Sequence, residues 1–153
     1  MIALIQRVTE CNVTVNSDLV DSIRGGLLVL LGVKEGDTET DAVYLAAKTV
    51  NLRIFSDDNE KMNLSLLDSG LDIMVVSQFT LHADTRHGNR PSFTDAADPK
   101  IAEELYEYYI QEVKNLIGFD KVHKGEFGAM MKVKLVNDGP VTIILRSKND
   151  YQI

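Results

Sequence analysis

The first 33 residues alternate between short apolar runs and polar breaks. Ile2–Val8, Cys11–Val15 and Leu19–Arg24 are brief stretches rich in β-branched side chains and read as strands. Gly25-Gly26 marks a turn. Leu27–Val33 is an unbroken apolar run, the pattern of a strand buried on both faces. The period then lengthens. Asp37-Thr38 offers a helix cap, and Val43, Ala46, Ala47 and Val50 recur at helical spacing, which predicts an amphipathic helix over about 39–52. Ile54-Phe55 and Met62–Leu66 read as short strands around the turn-rich Ser56–Lys61, and Leu71–Val76 as another apolar strand. Residues 82–98 form a long polar segment with Gly88 and Pro91; a loop of that length in a small domain is usually functional or mobile. Asp98-Pro99 then starts a second helix, with Ile101, Leu105, Tyr108, Tyr109, Val113 and Leu116 as its apolar positions and Gly118 as its stop. Met131, Val133 and Leu135 alternate with Lys132 and Lys134, giving one buried face and one basic, wet face. Val141–Arg146 reads as the last strand. The pattern predicts a single α+β domain over 1–153, mostly antiparallel sheet with two main helices.

Composition narrows the class. The chain has 153 residues, with 44% hydrophobic and 25% charged, a globular balance. No apolar run approaches the roughly 20 residues of a membrane helix. Met1 leads directly into Ile2-Ala3-Leu4-Ile5-Gln6-Arg7, without the basic start and long apolar core of a secretory leader. A cytoplasmic protein with no membrane partner is expected. The single cysteine, Cys11, excludes an internal disulfide and suits a reducing compartment; it reads as a small strand residue, with a catalytic thiol as the alternative. Net charge is −7, and residues 121–148 carry 6 basic groups against 2 acidic. The whole chain is thus ill-suited to non-specific nucleic-acid binding, whereas a local basic face could touch a few phosphates.

Candidate chemistry is sparse. Ser77-Gln78-Phe79-Thr80-Leu81 leaves the apolar strand, where backbone N–H groups can face a developing oxyanion; the alternative is a strand end in which Ser77 and Thr80 satisfy local backbone. Arg7 lies inside an apolar run and is either buried with partners or exposed over a packed stem. His82, His87 and His123 are scattered without metal-ligand spacing, so no metal site is expected. No nucleophile elbow, Walker loop or dinucleotide fingerprint is present. Asp57-Asp58-Asn59-Glu60 reads as a solvated turn. Asn137-Asp138-Gly139-Pro140-Val141-Thr142 admits two readings: a hairpin turn with Pro140 opening the next strand, or a ligand-gripping Gly-Pro element.

Ser77–Leu81 and Asn137–Thr142 together resemble the D-aminoacyl-tRNA deacylase family, of the D-tyrosyl-tRNA deacylase type. Ala3–Val8, Gly26–Val33, Asn51–Phe55, Lys61–Leu67, Gly88–Phe93 and Gly125–Ala129 are similar to further family blocks in family order, so the resemblance spans essentially 1–147. Met130 departs from the acidic residue that relatives often carry there. The resemblance implies a closed, barrel-like β core, a homodimer, and no cofactor. It implies hydrolysis of the ester joining a D-amino acid to the 3′-terminal adenosine of tRNA. It further implies a cis Gly139-Pro140 bond entering the partner's pocket, opposite Ser77, Gln78, Phe79, Thr80 and Leu81, with Arg7 bracing that loop and Val141 and Met131 beside it. On this basis the Gly139 and Pro140 carbonyls hold the substrate ammonium, an L side chain meets the Gly-Pro backbone, and glycyl-tRNA leaks through. Attack is by water, helped by backbone N–H groups near Phe79 and the ribose 2′-OH, or by Thr80 as nucleophile. A non-catalytic nucleic-acid-binding module and a small-molecule esterase using Thr80 are the competing classes. Lys121, Lys124, Lys132 and Lys134 are the candidate phosphate contacts.

Overall fold

The computed structural model describes residues 1–147. The first two strand readings, Ile2–Val8 and Cys11–Val15, merge into one strand, β1 (Ile2–Val15), which pairs antiparallel with β2 (Asp18–Ile23), β3 (Gly26–Gly32) and β8 (Met131–Arg146). β6 (Asp72–Ser77) and β7 (Val122–Lys124) add in parallel, so the sheet runs β2-β1-β3-β6-β7 with β8 on the free side of β1. Closure comes from side chains: His123 Nδ1 on β7 lies 2.8 Å from Asp21 Oδ1 on β2. The result is a nearly closed, barrel-like sheet. Sequence reading missed β7, which at three residues is too short to show a period.

The barrel interior is small and apolar: Val8, Cys11, Val13, Ile23, Leu28, Met74 and Val76. The outer face of β1, β3 and β6 carries the larger core, covered by α1 (Glu39–Asn51) and α3 (Pro99–Ile117). β3 is buried on both faces because each side meets one of these cores, as its unbroken apolar run predicts. Both helix starts match expectation. Thr38 caps α1 in a reciprocal box with Asp41, and the Asp98 carboxylate accepts from Lys100 N–H at 3.0 Å. Their buried stripes differ from those read in sequence. α1 buries Ala42, Leu45, Ala46, Thr49 and Val50 while Val43 is exposed; α3 buries Ala102, Leu105, Tyr106, Tyr109, Ile110 and Val113 while Ile101 and Leu116 are exposed. The two helices pack on each other as well as on the sheet, and Tyr109 Oη donates to Thr49 Oγ1 across that seam at 2.9 Å.

Three connections position the site. β4 (Phe55–Ser56) and β5 (Met62–Leu64) form a small separate ladder, and a short helix α2 (Leu66–Ser69) follows where a longer strand was expected. Its Ser65 cap pairs with Asp68, a box hidden within an apolar stretch. Gly26 has φ of 153°, and a Cβ there would stand 1.9 Å from the Asp72 carbonyl oxygen, so glycine is what lets β6 enter beside β3. The hairpin reading of Asn137–Thr142 is corrected: β8 runs without a turn along β1 and bulges at Asp138–Val141, where the register slips between Gln6 and Val8. A hairpin would return the chain alongside itself; here both halves of β8 find their partner in β1.

Candidate active site

β6 delivers Ser77 to the end of the sheet, level with Leu31 of β3. Gln78 N–H extends the ladder by one bond to the Leu31 carbonyl at 2.8 Å. The chain then tightens into a single 3₁₀ turn, Phe79–His82. Gly32 makes the turn fit: a Cβ there would lie 3.0 Å from the Gln78 carbonyl oxygen and 3.1 Å from the His82 ring.

Ser77, Gln78 and Phe79 form one wall of a cavity of about 740 Å³. The start of α3 supplies the opposite wall through Asp98, Pro99, Ala102 and Tyr106, and the Phe127–Met131 segment closes a third side. Gly125 leaves room for this segment, since a Cβ would stand 2.6 Å from Met131 Sδ. Tyr106 is buried, its Oη donates to the Val75 carbonyl at 2.9 Å, and burial drives its phenol pKa up, so it stays neutral. Phe93, from the 83–98 segment, meets Phe79 edge-on at a centroid distance of 5.1 Å and forms the rim. That segment is an irregular loop, fastened by reciprocal Asp84–Ser92 backbone bonds of 2.8 and 2.9 Å and by Glu35 N–H to the Asp95 carbonyl at 3.0 Å.

Among the described residues, the cavity wall lacks the usual catalytic groups. Its one carboxylate, Asp98, is engaged in the helix cap. The Thr80 hydroxyl accepts from Gln78 Nε2 at 2.5 Å, its only side-chain partner among the described residues. No base among the described residues is placed to activate it. What the wall does offer is backbone donors at the first positions of a tight turn and a large apolar surface. Cys11 lies inside the barrel, away from the cavity, and burial pushes its thiol up to about 11, which makes it inert at neutral pH.

The second set of predicted residues lies elsewhere. Arg7 is nearly buried; its Nε donates to the Asp138 carbonyl at 3.0 Å and its Nη1 to the Ile54 carbonyl at 2.5 Å. Asn137 clamps the other side of the bulge, accepting from Val141 N–H at 2.7 Å and donating to the Val141 carbonyl and Thr142 Oγ1. The Gly139-Pro140 bond between these clamps is cis, and both residues are exposed, whereas the Val141 side chain is buried in the core. Arg7 pairs with Leu27 and Ser77 with Leu31, so the bulge lies four residues, about 13 Å, along the strands from the cavity end. It is also three strands away, at about 4.8 Å each. Within one chain, therefore, Ser77, Gln78, Phe79 and Met131 come together, and Arg7, Gly139 and Pro140 do not join them. Thr80 is exposed, and Leu81 faces a neighbouring groove. Residue-level reading missed Phe93, Ala102, Tyr106 and Phe127 as cavity walls; only their membership of the Gly88–Phe93 and Gly125–Ala129 blocks or of a core helix was visible.

Three kinds of likeness bear on this arrangement. The family model described as D-Tyr-tRNA(Tyr) deacylase matches residues 4–146. A D-aminoacyl-tRNA deacylase of Thermosipho melanesiensis is 55% identical over 151 residues, covering 99% of this chain and all of its own. One of Roseiflexus castenholzii is 58% identical over 147 residues, covering 96% and 92%. Among solved structures, a c-Myc DNA unwinding element binding protein superposes with a TM-score of 0.92 at 38% identity, over 96% of this chain and 99% of that one. A probable eukaryotic D-amino acid tRNA deacylase superposes at 0.80 and 17% identity, a likeness of fold. With the match running through β1, the Ser77–Phe79 wall and the Gly139-Pro140 bulge alike, the chain belongs to the D-Tyr-tRNA(Tyr) deacylase family.

Proposed function

We propose that this protein hydrolyses the ester bond of D-aminoacyl-tRNA, releasing the D-amino acid and tRNA. The observation that carries the mechanism is the cavity wall: the turn that starts at Phe79, past the Gln78 N–H already held by the Leu31 carbonyl, presents backbone donors beside an apolar volume large enough for a nucleoside, with no free acid or base among the described residues. The terminal adenosine enters between α3 and the Phe127–Met131 segment, which brings the ester to the Phe79 turn. An aminoacyl ester is already activated, so water attacks, backbone N–H groups stabilise the oxyanion, and the ribose 2′-OH assists. The Thr80–Gln78 bond favours this route over a threonine nucleophile.

Discrimination comes from the Gly139 and Pro140 carbonyls, which accept the substrate ammonium and leave no room for an L side chain. Because that bulge lies far from Ser77 in its own chain, the loop enters the cavity of a second copy, and the active unit is a homodimer. The long free edge of β8 and the exposed Val136 and Ile144 on it suit such an assembly. Glycine carries no side chain to exclude, so glycyl-tRNA is also cleaved. Of the four candidate lysines, Lys121 pairs with Asp72 and Lys124 with Glu107, which leaves Lys132 and Lys134 for phosphate.

Deacylation of D- and L-tyrosyl-tRNA tests the reading. D-tyrosyl-tRNA is cleaved at least a hundredfold faster, Thr80→Val stays within about threefold of wild type, and a 2′-deoxy terminal adenosine slows the reaction strongly. Equal cleavage of both enantiomers would overturn the discrimination. Binding of tRNA without any cleavage would favour the second reading, a nucleic-acid-binding module, which the likeness to a DNA unwinding element binding protein raises.

A further inference from the structure

A second concavity, of about 430 Å³, lies against the catalytic cavity. Its floor is the end of the sheet, where Ile2 pairs with Gly32 on one side and Arg146 on the other. Leu81 and His82 form one wall, and the start of the 83–98 loop forms the other. Three cations line it: Lys34, Arg86 and Arg146. Two carboxylates, Asp84 and Asp95, face them, so the groove is net positive in a chain of net charge −7. Asp84 holds Arg86 in place, accepting from Nε at 2.9 Å and Nη2 at 2.7 Å. The Arg146 side chain makes no hydrogen bond or ion pair with another described residue.

The two concavities share a partition. Phe79 faces the cavity, while Leu81 and His82, two and three residues on, face the groove. Phe93, Thr94 and Ala96 face the cavity and Asp95 the groove. The top of the partition is the Phe79–Phe93 edge-to-face pair, 57% and 38% exposed. A cationic groove separated from a nucleoside-sized cavity by exposed aromatic rings is the arrangement that holds single-stranded nucleic acid: rings stack the bases and cations track the backbone.

We propose that the Lys34–Arg86–Arg146 groove is the subsite for the phosphodiesters of the single-stranded 3′ end, whose terminal nucleoside occupies the cavity. The strand leaves the cavity over Phe93 and lays its next phosphates in the groove. This rests on the cavity taking the terminal adenosine, and it supplies what the overall charge of the chain lacks, a local attraction for a polyanion.

The test uses the trinucleotide CpCpA, labelled at its 5′ end, and compares wild type with Lys34→Gln/Arg146→Gln, Arg86→Gln, and a control, Lys61→Gln, in the distant 57–61 turn. Arg86 is 80% exposed, so its replacement keeps the fold even if the double variant does not. Anisotropy gives Kd against salt. The expected result is a Kd about tenfold weaker for the double variant, with the slope of log K against log salt shallower by about 1.4, the value for two phosphates on a single strand. Arg86→Gln weakens binding in the same direction, and Lys61→Gln does not. Kinetics adds a second arm: the ratio of kcat/KM for D-tyrosyl-tRNA to that for D-tyrosyl-adenosine, which has no phosphate, falls about tenfold in the double variant. Variants with the Kd, slope and ratio of the Lys61→Gln control would overturn the subsite. Failure of the wild type to cleave either ester would instead overturn the activity, and the anisotropy arm would still decide the groove.

Discussion

Arg7 shows how one side chain links core and site. It lies on β1, in a run otherwise suited to burial, yet its fork reaches two carbonyls, of Ile54 and Asp138, from separate parts of the chain. Removing it strands those acceptors and frees the bulge. Arg7→Ala should cost roughly 2–3 kcal/mol, because a hydrogen bond from a charged donor is worth more than a neutral one. Melting should fall by roughly 4–12 °C for a chain of this size. The catalytic effect should exceed the structural one: kcat/KM drops at least tenfold at a temperature where the variant is still folded. Arg7→Lys keeps the charge but not the fork and should sit between the two. An Arg7→Ala protein with wild-type melting and activity would remove the brace. In sequence, a mid-strand arginine admitted a buried and an exposed reading. The partners decide between them, and neither lies within 40 residues of it.

At the scale of elements, legibility followed the strength of the period and the capping chemistry. Helix starts at Thr38 and Asp98 were readable because a cap is local. Which stripe of each helix is buried was not, because α1 and α3 contact each other as well as the sheet: Thr49 and Tyr109 are buried against each other across the seam and Tyr106 against β6, while the apolar Val43 and Ile101 are left exposed. The barrel interior carries its own prediction through Cys11, 1% exposed among apolar neighbours. Its folded-state pKa is about 11, above the roughly 8.5 of a free thiol. Below about pH 8.5 the thiol is protonated in both states and costs nothing. As pH rises toward about 11 the unfolded chain loses the proton first, so stability declines across that window. Melting followed from pH 7 to 11 should fall more steeply for wild type than for Cys11→Ala; parallel curves would show that the thiol is not desolvated. Tyr106 and Tyr109 are common to both proteins and cancel.

For the whole molecule, the separation of the two predicted halves of the site is the decisive fact. Ser77–Phe79 and Gly139-Pro140 stand four residues and three strands apart on one curved sheet, so a self-contained site cannot use both. If two copies complete each other, mixing should restore function. Arg7→Ala loosens the loop of its chain, and Ala129→Trp fills the cavity of its own. Each alone should keep no more than about a tenth of wild-type activity, yet an exchanged 1:1 mixture should recover about a quarter of it, since half the dimers are hybrids with one intact site each. No recovery after demonstrated subunit exchange would mean that each chain works alone.

The sequence by itself determined the α+β class, the two main helices, the buried strands Leu27–Val33 and Leu71–Val76, the helix caps at Thr38 and Asp98 and, through ordered family blocks, the family. These depend on local periodicity, turn chemistry and matched motifs, all carried by neighbours in the chain. Tertiary structure alone decided that β8 is one bulged strand rather than a hairpin, and that Tyr106, Phe127 and Phe93 wall the cavity. It also decided that the Gly139-Pro140 bulge and the Ser77–Phe79 wall lie apart in a single chain. Each of these depends on which distant strand or helix a segment meets, and pairing across a curved sheet leaves no periodic trace in the residues that make it.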